Sequence, residues 1–156
     1  MRIGLISAEY PPAIGGVGDH TARLARELVA AGQNVDVLTG RTLAGPPATH
    51  PAALRRIRRW DPRILLQVPR IARERLWDVL HIQYQPAAYA LHGAINLLPW
   101  FVRGPAVVTT FHDLRVPYLF PKAGPLRHAA VTALARGSAG AICVADTDLP
   151  QLRRWR

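Results

Sequence analysis

The sequence predicts an α/β fold, a mostly parallel sheet flanked by helices. Two patterns carry that expectation. Short apolar runs, suited to strands covered on both faces, alternate with amphipathic helical segments from one end to the other. The first run leads into a glycine cluster, Gly15-Gly16-Val17-Gly18, just before a helical pattern. At 156 residues, 49% of them apolar, the chain is the size of one domain with an ordinary core.

Arg2 to Ser7 reads as a buried strand, because Ile3, Leu5 and Ile6 make a nearly continuous apolar run. Asp19 to Ala31 reads as a helix with Leu24, Leu28 and Ala31 along one side and Gly32 as its stop. Asn34 to Thr39 is expected to be the second strand, completing a βαβ unit. Gly40 to Pro51 is rich in Gly, Pro and Thr and reads as a loop. Leu54 to Trp60 is expected to hold a short edge strand. Pro62 to Arg75 is helical in pattern, with Pro69 expected to kink or split it. Val79 to Gln83 reads as a strand, Pro86 to Phe101 as mostly helix, Ala106 to Phe111 as a strand and His112 to Pro121 as a loop. Leu126 to Arg136 reads as a helix and Ala139 to Val144 as the last strand, with Asp146 or Thr147 capping a short final helix. Open α/β sheets bind ligands at the carboxyl ends of their strands, often with a partner domain closing the cleft. The brevity of the final segment leads us to expect an incomplete chain, with a complete small domain as the alternative.

Composition narrows the function classes. No run of 18 apolar residues exists, so no helical membrane span is expected. The opening does not read as a secretory signal: its apolar stretch stops at Tyr10-Pro11-Pro12, and the next helical pattern carries Arg and Glu. Cys143 is the single cysteine, which excludes an internal disulfide and a multi-cysteine metal site. It lies in an apolar run and is expected to be buried and inert; a cytoplasmic setting fits. The net charge is +10, and Lys122 is the sole lysine among 20 basic residues. Compositional bias accounts for part of that. The rest suits an anionic partner: a phosphate-bearing substrate, a membrane surface or a nucleic acid.

The glycine cluster permits a tight turn, positive φ angles and close approach of a ligand to the backbone. The helix after it exposes free N–H groups whose dipole favours an anion or a polar oxygen. A glycine-rich loop with no ligand is the plain alternative. Two known phosphate-binding patterns do not fit. The dinucleotide fingerprint needs its glycines directly after the first strand, but Ala8 to Ile14 intervene, and Val37-Leu38-Thr39-Gly40-Arg41 lacks the ribose-binding acid. The nucleotide-triphosphate loop needs Gly-Lys-Ser/Thr, which does not follow.

Several segments in order carry a family resemblance. Ser7-Ala8-Glu9-Tyr10-Pro11-Pro12, Gly15-Gly16-Val17-Gly18-Asp19-His20, Leu24-Ala25-Arg26-Glu27-Leu28 and Gly32-Gln33-Asn34-Val35 resemble the opening of a retaining glycosyltransferase of the glycogen-synthase and mannosyltransferase type, family 4. His81-Ile82-Gln83-Tyr84-Gln85 resembles that family's His-x-Gln or His-x-His strand. Val107-Val108-Thr109-Thr110-Phe111-His112-Asp113 resembles the strand and loop bearing its active-site histidine. Ala139-Gly140-Ala141-Ile142-Cys143-Val144-Ala145 resembles a strand usually written Ala-Asp-x-Ile-Ile-x-Val-Ser, with Gly140 and Ala145 as departures.

The resemblance implies a Rossmann-like sheet, the first half of the two-domain GT-B architecture, with residues 1–156 as the acceptor-side domain and the donor-binding domain outside them. It implies transfer of a hexose, mannose among the candidates, from a UDP- or GDP-linked sugar to a sugar or lipid-linked acceptor with retention of configuration. No other cofactor and no metal are implied. In such transfer the leaving phosphate is usually drawn as receiving the acceptor proton, so His112 is expected close to the transferred sugar rather than as a general base. A sugar- or phosphate-binding module without turnover is the alternative from a different class.

Among individual residues, His112 just past a strand can hydrogen-bond a sugar hydroxyl. Asp113 can orient loop or ligand groups, or cap the loop. Gly15 and Gly16 are expected to make close backbone contact with substrate. Asp19 either contacts ligand or stabilises the amino end of its helix, and His20 is expected to pack near Leu24. Glu9 and Tyr10 are expected to line the acceptor side. Gln83 lies nearer the strand's carboxyl end than His81, where sites form, and is expected to bind substrate; both point to one face. His81 and Tyr84 read as packed residues. Arg55, Arg56, Arg58 and Arg59 open a stretch to Arg75 that holds eight arginines, with Trp60, Ile64, Leu65, Leu66 and Trp77 in or beside it. That pattern suits either an anionic membrane surface at the inner face or a plain solvated face. No recognition motif for nucleic acid is present.

Overall fold

Residues 1–40, 52–114 and 124–155 are described by the structure, a computed structural model. Strands and helices follow in the order β1 (Arg2–Ile6), α1 (Gly16–Ala30), β2 (Asn34–Gly40), β3 (Ala52–Ile57), α2 (Ile64–Arg75), β4 (Val79–Tyr84), α3 (Ala94–Phe101), β5 (Ala106–Phe111), α4 (Gly124–Gly137), β6 (Gly140–Cys143) and α5 (Leu149–Trp155). The six strands form one sheet in the order β3-β2-β1-β4-β5-β6, with every pairing parallel. The expected α/β class and Rossmann-like topology are therefore present. The chain winds outward from β1 to β3, then returns to the other side of β1 at β4. The reversal leaves a crevice at the carboxyl ends of β1 and β4, the usual ligand position in such sheets. The expected loop at 40–51 lies outside the described residues apart from Gly40, which ends β2. The loop expected at 112–121 is described only through Leu114.

The sheet is buried on both faces by unequal layers. Against α1 lies a small cluster of Ile3, Leu5, Tyr10, Ala25, Val35 and Val37. The other face carries the main core, where Ile6, Leu38, Leu80, Ile82 and Phe111 meet Ile64, Val68, Ile95, Leu98 and Leu134. Each fully buried side chain of this size contributes ~1.5–3 kcal/mol.

Six local expectations are corrected. α1 begins at Gly16, three residues before Asp19, so two of the three glycines belong to the helix. Its fully buried stripe is Val17, Thr21 and Ala25, with Leu24 and Leu28 only partly covered. Small residues on that stripe let the helix sit close to β2. α2 runs through Pro69 as a single element. A helix-interior proline costs ~3 kcal/mol, but Ile64, Val68, Ile71 and Ala72 bury on the same helix and outweigh it.

The segment 86–93 makes turns rather than helix, and Ala90 and Leu91 take left-handed φ angles of 53° and 57°. Tyr89 explains this: it is fully buried, and its hydroxyl donates to the carbonyls of Ile6 (3.2 Å) and Gln83 (3.0 Å). The final segment opens with a 3₁₀ turn, Asp146–Asp148, whose capping position is Ala145 with no side-chain bond. Cys143 is only partly buried; burial and the carboxylates of Asp148 and Asp146 push its thiol pKa up.

One buried polar cluster staples the amino edge of the sheet. Asp36 accepts from Arg75 Nε (2.9 Å), Arg75 Nη2 (2.8 Å) and Trp77 Nε1 (2.8 Å). The Trp77 indole lies flat on Gly4, where any side chain would collide with the ring.

Candidate functional site

Three segments meet at the carboxyl edge beside the reversal point. The first is the β1–α1 junction. Gly15 holds extended backbone (φ 178°, ψ 140°), and among the described residues only Gly32 and Gly104 are glycines with positive φ. The cluster therefore serves space, not an unusual backbone, contrary to the expected positive-φ turn. A Cβ on Gly18 would lie 3.2 Å from the Glu9 carbonyl carbon and the Tyr10 nitrogen. Gly15 is covered by the Glu9 carboxylate. Gly16 faces open space, with nothing within 4 Å of where a Cβ would stand. It is the one glycine of the three that leaves room for a ligand.

The second and third segments are the ends of β4 and β5. His81, Gln83 and Thr110 are buried, on the sheet face that carries Leu5 and α1. His81 Nε2 is 2.8 Å from Thr110 Oγ1. His112 follows β5, is half-buried, and its Nε2 lies 2.9 Å from Gln83 Oε1. The His20 ring meets His112 edge-on, 4.8 Å between centroids. Burial first, then the neighbouring His20, pulls the His112 pKa from 6.5 to about 4. Burial, His20 and His112 do the same to His81, also to about 4. At neutral pH both imidazoles are uncharged, so they act as hydrogen-bonding groups, not cations.

The expected site residues fall into groups. Glu9, Gly15, Gly16 and Asp19 gather at the start of α1, where Asp19 is exposed and its N–H donates to Gly15 O at 3.0 Å. Gln83, His112 and Asp113 gather at the ends of β4 and β5, with Asp113 half-buried. Tyr10 departs from its expected place on an acceptor surface. It is 1% exposed in the small core, and burial raises its hydroxyl pKa. Arg58 and Arg59 are exposed after β3; Arg55 and Arg56 lie in that edge strand, and their side chains are outside the described set.

The apolar residues of the basic stretch do not form an exposed membrane face. Ile64 and Trp77 are buried, Trp60 packs on Tyr89 at 4.9 Å, and Leu66 alone of the five is well exposed. Arg70 pairs with Glu74 and Arg75 with Asp36. Among the described residues, no three of His, Cys, Asp and Glu converge as a metal site.

Sequence reasoning did not find the His20–His112 contact, because it placed the helix start at Asp19. A helix starting at Gly16 puts His20 in its second turn, facing β5. It also missed Tyr89 and the Asp36 cluster, which depend on pairings across the sheet.

The family model described as Glycosyltransferase Family 4 matches residues 14–156. A 54-residue stretch is 46% identical to the glycogen synthase of Mycobacterium tuberculosis, covering 34% of this chain and 13% of that enzyme. Sucrose-phosphate synthase from Thermosynechococcus elongatus superposes on 99% of the chain with a TM-score of 0.67 at 19% identity, and the match takes in 45% of that structure. An α-glucosyltransferase in complex with UDP and a 13-mer DNA matches over 92% of the chain and 37% of its own (TM-score 0.53, 14% identity). UDP-glucose 4-epimerase from Thermotoga maritima, with UDP-glucose, matches over 91% and 54% (TM-score 0.50, 12% identity). The chain thus spans less than half of the sucrose-phosphate synthase and a small part of the glycogen synthase. At these identities the structural likenesses carry the fold alone.

Proposed function

Since the chain belongs to glycosyltransferase family 4, we propose that it forms the acceptor-side domain of an enzyme moving a hexose from a nucleotide sugar to a sugar or lipid-linked acceptor. The observation that carries this is the convergence at one sheet edge of an open Gly16 on the first turn of α1 and a neutral, half-buried His112. The helix start offers unpaired backbone N–H groups and a favourable dipole to an anionic or polar oxygen. His112 offers a hydrogen-bonding nitrogen to a sugar hydroxyl. A UDP- or GDP-linked hexose, glucose or mannose, transferred with retention, is the reading we favour. Gly15, Gly16, Glu9, Asp19 and Asp113 would surround it. A cytoplasmic enzyme at the inner membrane face, drawn there by Arg55, Arg56, Arg58 and Arg59, fits the net charge of +10.

Diphosphate departure needs a preorganised electrostatic site, which by the family pattern belongs to a second domain. The test is transfer of labelled glucose or mannose from UDP-glucose and GDP-mannose by the longest chain that contains residues 1–156. Turnover that falls in a folded His112 variant supports the reading. Nucleotide-sugar binding with neither transfer nor hydrolysis would instead make this a binding module.

A further inference from the structure

We propose that Gln83 is the positioning residue for His112: its carboxamide oxygen holds His112 as the Nε2–H tautomer and leaves Nδ1 as the acceptor offered to a ligand hydroxyl. The part of this that concerns a sugar hydroxyl rests on the function proposed above. The tautomer does not.

The geometry comes from both partners. His112 Nε2 and Gln83 Oε1 are 2.9 Å apart, and an amide oxygen only accepts, so the ring nitrogen must donate. In a neutral imidazole the other nitrogen then carries the lone pair. Among the described residues His112 Nδ1 makes no hydrogen bond. The ring plane is held from the side by the edge contact with His20. His112 N–H is tied to Tyr84 O at 3.0 Å, which anchors the backbone at the same point.

Gln83 itself is costly where it stands. The residue is fully buried, and its Nε2 has no partner among the described residues. A buried unpaired donor destabilises the fold, and an apolar side chain of the same volume would avoid that. A strand interior built for stability alone would favour such a residue. Among the described residues, the one side-chain hydrogen bond that Gln83 makes is the bond to His112. Because the amide is buried, it acts on a ligand through His112 and not by touching the ligand.

The experiment reads the tautomer directly. Long-range ¹H–¹⁵N spectra of the labelled chain, with His112 assigned by its loss in His112→Asn, report which ring nitrogen carries the proton. We expect a single Nε2–H form at neutral pH. In Gln83→Met, which preserves volume, we expect an unchanged or higher melting temperature and the appearance of Nδ1–H. In Gln83→Glu a carboxylate faces the ring, and the His112 pKa should climb from about 4 to beyond its ordinary 6.5. An Nδ1–H form in the wild type, an unchanged tautomer ratio in folded Gln83→Met, or loss of folding in Gln83→Met would each overturn the proposal. Titration with UDP-glucose and GDP-mannose is scored separately. If neither moves the Nδ1 resonance, the sugar-binding role proposed for His112 falls while the tautomer assignment is judged on the spectra above.

Discussion

His20 and His112 touch edge to face, 4.8 Å between ring centroids, although 92 residues separate them. The contact ties the second turn of α1 to the end of β5. A charge on His20 disfavours protonation of His112 and of His81.

Burial of the two rings, with that charge effect added, has a pH consequence. His81 and His112 have folded pKa values of about 4 against an ordinary 6.5. The unfolded chain therefore binds more protons between those values. Stability should be fully present above pH 6.5 and fall as the pH drops toward 4. Urea midpoints across this range check it. In a His81→Gln variant the loss over that window should shrink, and an unchanged slope would count against the shift.

The exposed Gly16 and the buried Gly18 should separate by sign. Gly16→Ala meets nothing within 4 Å and does not need positive φ, so it should gain ~0.4–1 kcal/mol by restricting the unfolded chain. Gly18→Val drives a branched side chain into the Glu9–Tyr10 backbone and should lose ~1–3 kcal/mol. Thermal melts decide both. If the proposed site is right, Gly16→Ala also weakens nucleotide-sugar binding despite the higher melting temperature.

Replacing His112 alone does more than empty the site. His112→Ala strips Gln83 Oε1 of its donor and leaves the whole buried amide unpaired, at ~1–3 kcal/mol. Adding Gln83→Met should restore the melting temperature. It should not restore transfer by the longer chain, where loss of one hydrogen bond to the sugar lowers kcat/KM by about tenfold. Activity that returns together with stability would assign His112 to the scaffold.

At the opposite edge, Arg75→Ala leaves the buried Asp36 carboxylate with Trp77 Nε1 as its remaining side-chain partner among the bonds described. Because the Arg75 side chain is 40% exposed, the loss should sit at the lower end of the ~3–5 kcal/mol typical of a broken buried pair. Chemical denaturation measures it. A loss below ~1 kcal/mol, the size of a surface pair, would mean that water reaches Asp36.

The sequence alone determined the class of the fold and the order of its strands along the chain, although β3 runs over Ala52–Ile57 and not within the expected Leu54 to Trp60. Ala106 to Phe111 is a strand over the expected span because a run of β-branched and apolar residues flanked by Gly-Pro and His-Asp specifies one locally. The glycine cluster, the His112 position and the family resemblance were also legible, since each is a local pattern. Tertiary structure decided the rest. Turn propensity could not reveal that Tyr89 breaks the segment after β4, because its hydrogen bonds reach Ile6, 83 residues away. Helix periodicity could not reveal that Pro69 is carried inside α2, because the compensating burial comes from the sheet beneath it. Nor could any local pattern show that Gly18 is needed for close packing while Gly16 is left open. The order β3-β2-β1-β4-β5-β6 brings the ends of β4 and β5 beside the start of α1. Only that arrangement desolvates His112 and sets Gln83 against one ring nitrogen and His20 against the ring's side, and the charge state of His112 follows from it.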